Sequence, residues 1–264
     1  MTRSNLEVGS APNRRAVLTA ALGATALATI GGAPAFARAP VRNVVLVHGA
    51  WADGSCWGDV IVRLQAAGFN VTAVQNPLTS LADDVAATQR VVDAQTGKVV
   101  LVGHSWGGTV ITQAGSSDKV KALVYVAAFA PSEGEATGDL GKDFPAPPGI
   151  ATLQADASGF LYVPAASMAS NFAQDLPAAT TRLMTATQGP ILGKAFGEKV
   201  TVAAWKNKPN YYIVSAKDRM IAPELEQAFA KKINATTTTL QTSHVPMLSQ
   251  PEAVAKVILA AAQR

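Results

Sequence analysis

Gly103-His104-Ser105-Trp106-Gly107 is the segment of this sequence best suited to covalent chemistry. It follows an apolar run, Lys98–Val102, and precedes a helical pattern over Thr109–Gln113. A serine on a sharp strand-to-helix turn holds its hydroxyl clear of the sheet. There the free N–H groups of the helix N-terminus favour developing negative charge. The flanking glycines, with Gly108 as a third, leave room for so tight a bend. The same five residues could also form a tight turn around a buried, inert serine. The other groups that can reach Ser105 therefore decide its meaning.

A serine hydroxyl is a weak nucleophile at neutral pH and needs a base. The sequence offers three histidines. His104 adjoins the serine on the turn, so its side chain should point elsewhere. His48 ends the first apolar run in a His-Gly pair suited to shaping a loop. His244 lies in Ser243-His244-Val245-Pro246-Met247, between the last strand-like run and the last helix, at the same sheet edge as Ser105. It is the expected base. An imidazole in that role needs a carboxylate to fix its tautomer. Asp218, just after the run Tyr211–Ser215, is the expected partner, with Glu133 as the competing candidate. A surface Asp paired with Lys217 or Arg219 is the plainer alternative. Asp83 and Asp84 read as helix-cap charges. A tetrahedral intermediate would need two backbone donors. The N–H of Trp106 and the N–H of Ala50, in His48-Gly49-Ala50-Trp51, are the expected pair.

These residues need a scaffold that brings distant segments to one edge. Apolar, β-branched runs at Asn43–Val47, Phe69–Val74, Lys98–Val102, Lys121–Val126, Tyr211–Ser215 and Thr236–Leu240 alternate with helical patterns at Cys56–Ala67, Leu81–Ala94, Thr109–Gln113 and Pro251–Ala262. The pattern predicts an α/β fold: a sheet of about six strands, mostly parallel, with helices on both faces. Residues 131–202, rich in Ala, Gly and Pro, break the rhythm. They are expected to form a small inserted cap, since long insertions in compact domains are usually functional.

Composition narrows the classes. With 264 residues, 48% of them hydrophobic and 15% charged, the chain can bury a sizeable core. The net charge of +4 is scattered, which argues against nucleic acid or an anionic membrane surface as a partner. A single cysteine, Cys56, excludes an internal disulfide, and the His and Cys spacings fit no metal site. Residues 1–37 read as an export signal. Arg14-Arg15 precede a mildly apolar stretch that ends in Ala35-Phe36-Ala37, a small-x-small cleavage pattern. The paired arginines resemble a twin-arginine signal, although Thr19 stands where a basic residue usually does. The expected domain is then 38–264, in a periplasmic or extracellular location, with no stable membrane association after cleavage.

His48-Gly49-Ala50-Trp51, Gly103–Gly108, Asp218 and Ser243–Met247 together resemble the α/β-hydrolase superfamily. Within it, the sequence is similar to bacterial esterases related to the plant methylesterase and hydroxynitrile lyase branch. The resemblance covers nearly all of residues 41–264 and is weakest in the cap. It implies Ser105 as nucleophile, Asp218 and His244 as its partners, Ala50 and Trp106 as oxyanion donors, and no cofactor. The lyases carry a threonine where Gly49 stands and a lysine where Val245 follows His244. The resemblance therefore implies ester hydrolysis by a serine esterase. Trp106, Trp205 and cap residues are expected to line the acyl or alcohol pocket, which suggests a small apolar or aromatic ester. A non-catalytic binding protein and a cofactor-free oxygenase or haloperoxidase-like enzyme are the alternatives on the same scaffold.

Overall fold

The structure, a computed structural model, describes residues 41–263. The expected export signal over 1–37 lies outside the described residues. Chain order runs β1 (Asn43–Val47), α1 (Gly58–Ala66), β2 (Asn70–Ala73), α2 (Leu81–Ala94), β3 (Val99–Ser105), α3 (Trp106–Ala114) and β4 (Val120–Ala128). The chain then leaves the main sheet. It forms β5 (Gln154–Ala155), β6 (Phe160–Tyr162), the single turn α4 (Ala165–Ser167), α5 (Ala178–Thr187) and β7 (Ile191–Leu192). It returns through β8 (Asn210–Ser215), α6 (Pro223–Lys232), β9 (Thr236–Leu240), α7 (Pro246–Ser249) and α8 (Pro251–Ala262).

The main sheet has six strands in the order β2-β1-β3-β4-β8-β9, and every pairing in it is parallel. Strands covered on both faces must be apolar along their length. β1 and β3 are fully buried, and β4 is buried except at Lys121, which is half-buried. The edge strands are more exposed and correspondingly polar, Asn-Val-Thr-Ala in β2 and four threonines before Leu240 in β9. The helices beside the sheet pack in two groups, α1 with α8 and α2 with α3. The chain leaves β1 towards β2 and later turns back past β1 to β3. The carboxyl ends of β1 and β3 therefore flank the point where strand order reverses, which is where such sheets open a crevice.

Residues between β4 and β8 roof that crevice. β5, β6 and β7 form a small antiparallel sheet of their own. Single hydrogen bonds tie it to the loops below. Trp51 Nε1 donates to the Leu161 carbonyl at 2.8 Å, and the Leu192 amide donates to the Leu78 carbonyl at 2.9 Å. Asp175 accepts from the Ser243 amide at 2.8 Å, so the roof also holds the loop that carries His244.

Candidate active site

Ser105 ends β3 and directly precedes α3. Its φ of 53° puts a non-glycine residue in the left-handed region, a strained backbone that persists only where the surroundings impose it. The glycines around it are required by packing. A Cβ on Gly103 would lie 2.4 Å from the Gly107 carbonyl oxygen. One on Gly108 would lie 2.3 Å from that of Phe129. A Cβ on Gly49 would meet the Ser105 Cβ at 2.7 Å, so the loop after β1 can approach the serine only as glycine.

The three expected side chains meet. His244 Nε2 lies 2.8 Å from Ser105 Oγ, and His244 Nδ1 lies 2.5 Å from Asp218 Oδ2. An ionised carboxylate only accepts, so Nδ1 carries the proton and Nε2 is left as acceptor for the serine hydroxyl. The second oxygen of Asp218 accepts the amides of Met220 at 2.6 Å and Ile221 at 3.0 Å. The Ala216 amide bonds the Leu240 carbonyl and that of Lys217 bonds Thr242, locking the turn after β8 to the chain leading towards His244.

His104 and His48 brace this arrangement. His104 Nε2 donates to the His244 carbonyl at 2.8 Å. Burial, with His244 beside it, holds the His104 ring well below the usual imidazole range, so it is neutral. His48 accepts the Asn76 amide on Nε2 at 2.9 Å and donates from Nδ1 to the Gly49 carbonyl at 2.8 Å, shaping the loop as its sequence context suggested. Phe172 from the roof packs edge-on to the His244 ring at 5.1 Å. Behind Asp218 lies Glu226, fully buried, whose carboxyl accepts the Ser215 amide at 2.9 Å. Burial and the neighbouring Asp218 carboxylate push Glu226 well above the usual carboxylate range.

Ser105 opens on a cavity of about 290 Å³. Ala50, Trp51 and Trp106 form its floor beside the serine, and Phe129, Phe144 and Phe196 are among its walls. Among the described residues, those lining it include no charged side chain.

Three expectations are corrected. Trp205 does not line this cavity. Its Nε1 donates to the Pro131 carbonyl at 2.8 Å, and Lys206 and Lys232 lie over its ring. Trp51, three residues after His48, is the second tryptophan of the cavity instead. Asp84 is not a helix-cap charge. Asp83 fills that role, accepting from Thr79 and Ser80, while Asp84 is fully buried against Trp106. Glu133 is not a rival to Asp218, because it pairs with Lys206 at 3.0 Å and accepts the Ala203 amide. Nothing in the local sequence around Phe129, Phe144 or Phe196 marks them as pocket residues.

A parallel sheet with a strained serine at a strand end and a histidine–aspartate pair from later strand ends defines a class, the α/β hydrolases. Comparison with known proteins agrees. Residues 44–257 match the alpha/beta hydrolase family, and the chain belongs to it. It is 29% identical over 239 residues to a probable hydrolase, R7, of Phoma sp., covering 81% of this chain and 96% of that protein. It is 26% identical to methylesterase 2 of Arabidopsis thaliana, covering 84% of this chain and 96% of that protein, so it resembles the plant methylesterases. The crystal structure of polyneuridine aldehyde esterase shares the fold, with a TM-score of 0.72 at 21% identity over 83% of this chain and 98% of that one.

Proposed function

We propose that the chain is a serine carboxylesterase that cleaves a small, neutral ester, apolar or aromatic, through an acyl-Ser105 intermediate. One observation carries this reading: an unbroken hydrogen-bond chain from Asp218 through His244 to Ser105, opening on an uncharged cavity. His244 takes the serine proton as Oγ attacks the ester carbonyl. The backbone N–H groups of Ala50 and Trp106 receive the oxyanion. His244 then gives its proton to the leaving alkoxide, and the alcohol departs. Water, deprotonated by the same imidazole, attacks the acyl-serine; the bond from Oγ to the acyl carbon breaks, His244 returns the proton to Oγ, and the acid leaves. Asp218 stabilises the imidazolium formed in each half-reaction.

The cavity volume of about 290 Å³ matches about ten water molecules. That suits an acyl group such as a benzoyl or a medium alkyl chain. A charged acyl group would lose its hydration there without gaining a partner. The names of methylesterase 2 and polyneuridine aldehyde esterase point to ester substrates for those proteins, which supports the same bond class here. The test is turnover of a panel of p-nitrophenyl and methyl esters by the protein lacking residues 1–37. Multiple turnovers on neutral esters, with kcat lowered on the order of 10³-fold or more in Ser105→Ala, support the reading. A single stoichiometric burst would favour a binding protein, and oxygen-dependent product formation an oxygenase.

We further propose that residues 1–37 direct export of the protein and are removed near Ala37. Mass spectrometry of protein recovered from periplasmic and culture fractions tests this. A chain that retains Met1 and stays in the cytoplasm would overturn it.

A further inference from the structure

Asp84 is a fully buried carboxylate outside the triad. Burying a charge is expensive unless it is paired or hydrogen-bonded. Capping α2 does not explain it, because Asp83 and Ser80 do that work. Its two oxygens hold two different parts of the site. Oδ2 accepts the indole N–H of Trp106 at 2.7 Å, and Oδ1 accepts the Leu78 amide at 2.7 Å. Asp83 and Glu198 are the other carboxylates acting on it. Burial, reinforced by their repulsion, pushes Asp84 up to about 6 even though both hydrogen bonds favour the charged form.

The two donors sit at demanding positions. Leu78 is a non-glycine residue at φ 59°, and its carbonyl accepts the Leu192 amide of β7, the roof strand. Trp106 is the first residue of α3 and packs edge-on to Phe196 at 5.3 Å inside the cavity. Its backbone N–H directly follows the serine. The first N–H groups of a helix have no acceptor within it, so helix hydrogen bonding does not fix their direction. Fixing the side chain of the same residue limits how the peptide can turn.

We propose that Asp84 is a positioning residue for acyl transfer: it clamps the Trp106 indole, and so aims the Trp106 N–H at the oxyanion, while tying that residue to the roof through Leu78. The inference rests on the reading of Ser105 as nucleophile. Oxyanion stabilisation depends on donor placement within about half an ångström, so loss of the clamp lowers kcat and leaves substrate binding little changed.

Asp84→Asn keeps the shape but offers one acceptor oxygen to two donors, and its amide N–H₂ opposes one of them. The clamp predicts that kcat on p-nitrophenyl acetate falls about tenfold or more, with KM within about twofold. Trp106→Phe removes the indole donor and should lower kcat in the same way. In the double variant the donor–donor conflict is gone, so kcat should be no lower than in Trp106→Phe alone. Titration of Ser105 with a fluorophosphonate normalises each kcat to folded, competent sites. If Asp84→Asn does not fold, Trp106→Phe decides alone: a kcat per titrated site within about twofold of the parent then overturns the clamp. The proposal fails if kcat per titrated site in Asp84→Asn stays within about twofold of the parent, or if the two single losses multiply in the double variant. A parent enzyme that neither turns over nor takes the label would instead remove the hydrolase reading.

Discussion

The floor of the cavity and its roof are held in opposite ways. Ser105 and Asp218 stand at or just beyond the carboxyl ends of β3 and β8, fully buried strands joined through β4 in a parallel ladder. His244 follows β9 and is locked to the turn after β8 by backbone hydrogen bonds. The roof between β4 and β8 has strands of two and three residues and meets the floor through scattered hydrogen bonds and ring contacts, with no strand pairing to the main sheet. The difference separates two tasks. Positions that must be accurate for bond making rest on long-range pairing. Positions that choose the substrate rest on a wall of short strands and loops, and away from Phe172 and Asp175, which touch the His244 loop, that wall can change without moving the reacting atoms.

Damage to the floor should therefore act on rate, and damage to the roof on selectivity. The largest expected effect is at Asp218. Asp218→Asn keeps the shape but can place an amide N–H against His244, favouring the wrong tautomer, and kcat should fall by about 10⁴ with KM nearly unchanged. A loss of less than about tenfold in steady-state assays would remove Asp218 from the mechanism.

Next in size is a test of the elbow's packing. Gly108→Ala would place a Cβ 2.3 Å from the Phe129 carbonyl oxygen, a backbone atom that cannot step aside. Urea unfolding should show a loss of about 3 kcal/mol. An unchanged midpoint would mean that α3 is not pressed against the end of β4.

On the roof, Phe144→Ala should widen the cavity without touching the triad. Specificity, read as kcat/KM for octanoate over acetate p-nitrophenyl esters, should rise about tenfold while kcat on acetate stays within about threefold. Equal losses on both esters would show that roof and floor are not separable.

The smallest effect concerns pH. Because burial holds His104 well below 6.5, the unfolded chain takes up a proton near that pH and the folded protein does not. Stability therefore falls as pH drops below about 6.5, by up to about 1.4 kcal/mol per pH unit from this one group. His104→Gln keeps a donor for the His244 carbonyl and cannot titrate. Its Tm should decline less steeply than the parent's between about pH 6.5 and 5. Asp84 and Glu226, with raised carboxyls, act in the opposite sense in both proteins, so the difference isolates His104. Parallel slopes would contradict a neutral, buried His104.

The same contrast explains what could be read from the sequence. Strands buried on both faces must be nearly continuous Val and Leu, so Asn43–Val47 and the runs around Val99 and Leu123 announced themselves. Ser105 and Asp218 were legible because each follows a buried run, and His244 because it follows the β-branched run Thr236–Leu240 and precedes the last helix. The helix Pro223–Lys232 was not singled out, although Pro223 at its start, acidic residues in its first turn and lysines in its last are fair signals. The roof was illegible in detail, since strands of two or three residues carry no period. Trp51 and Trp205 each follow an alanine, and tertiary contacts send one to the cavity and the other to the Pro131 carbonyl and Lys232. Asp84 looked like its neighbour Asp83 because its partner, Trp106, lies 22 residues away.

The most direct test of the account is to inactivate the protein with a fluorophosphonate and map the adduct by peptide mass spectrometry. The account predicts one phosphonyl group per chain, on Ser105, with esterase activity lost in proportion and no labelling of His244→Ala at the same reagent dose. Full modification of Ser105 with activity retained, or inactivation with the adduct on another residue, would contradict it.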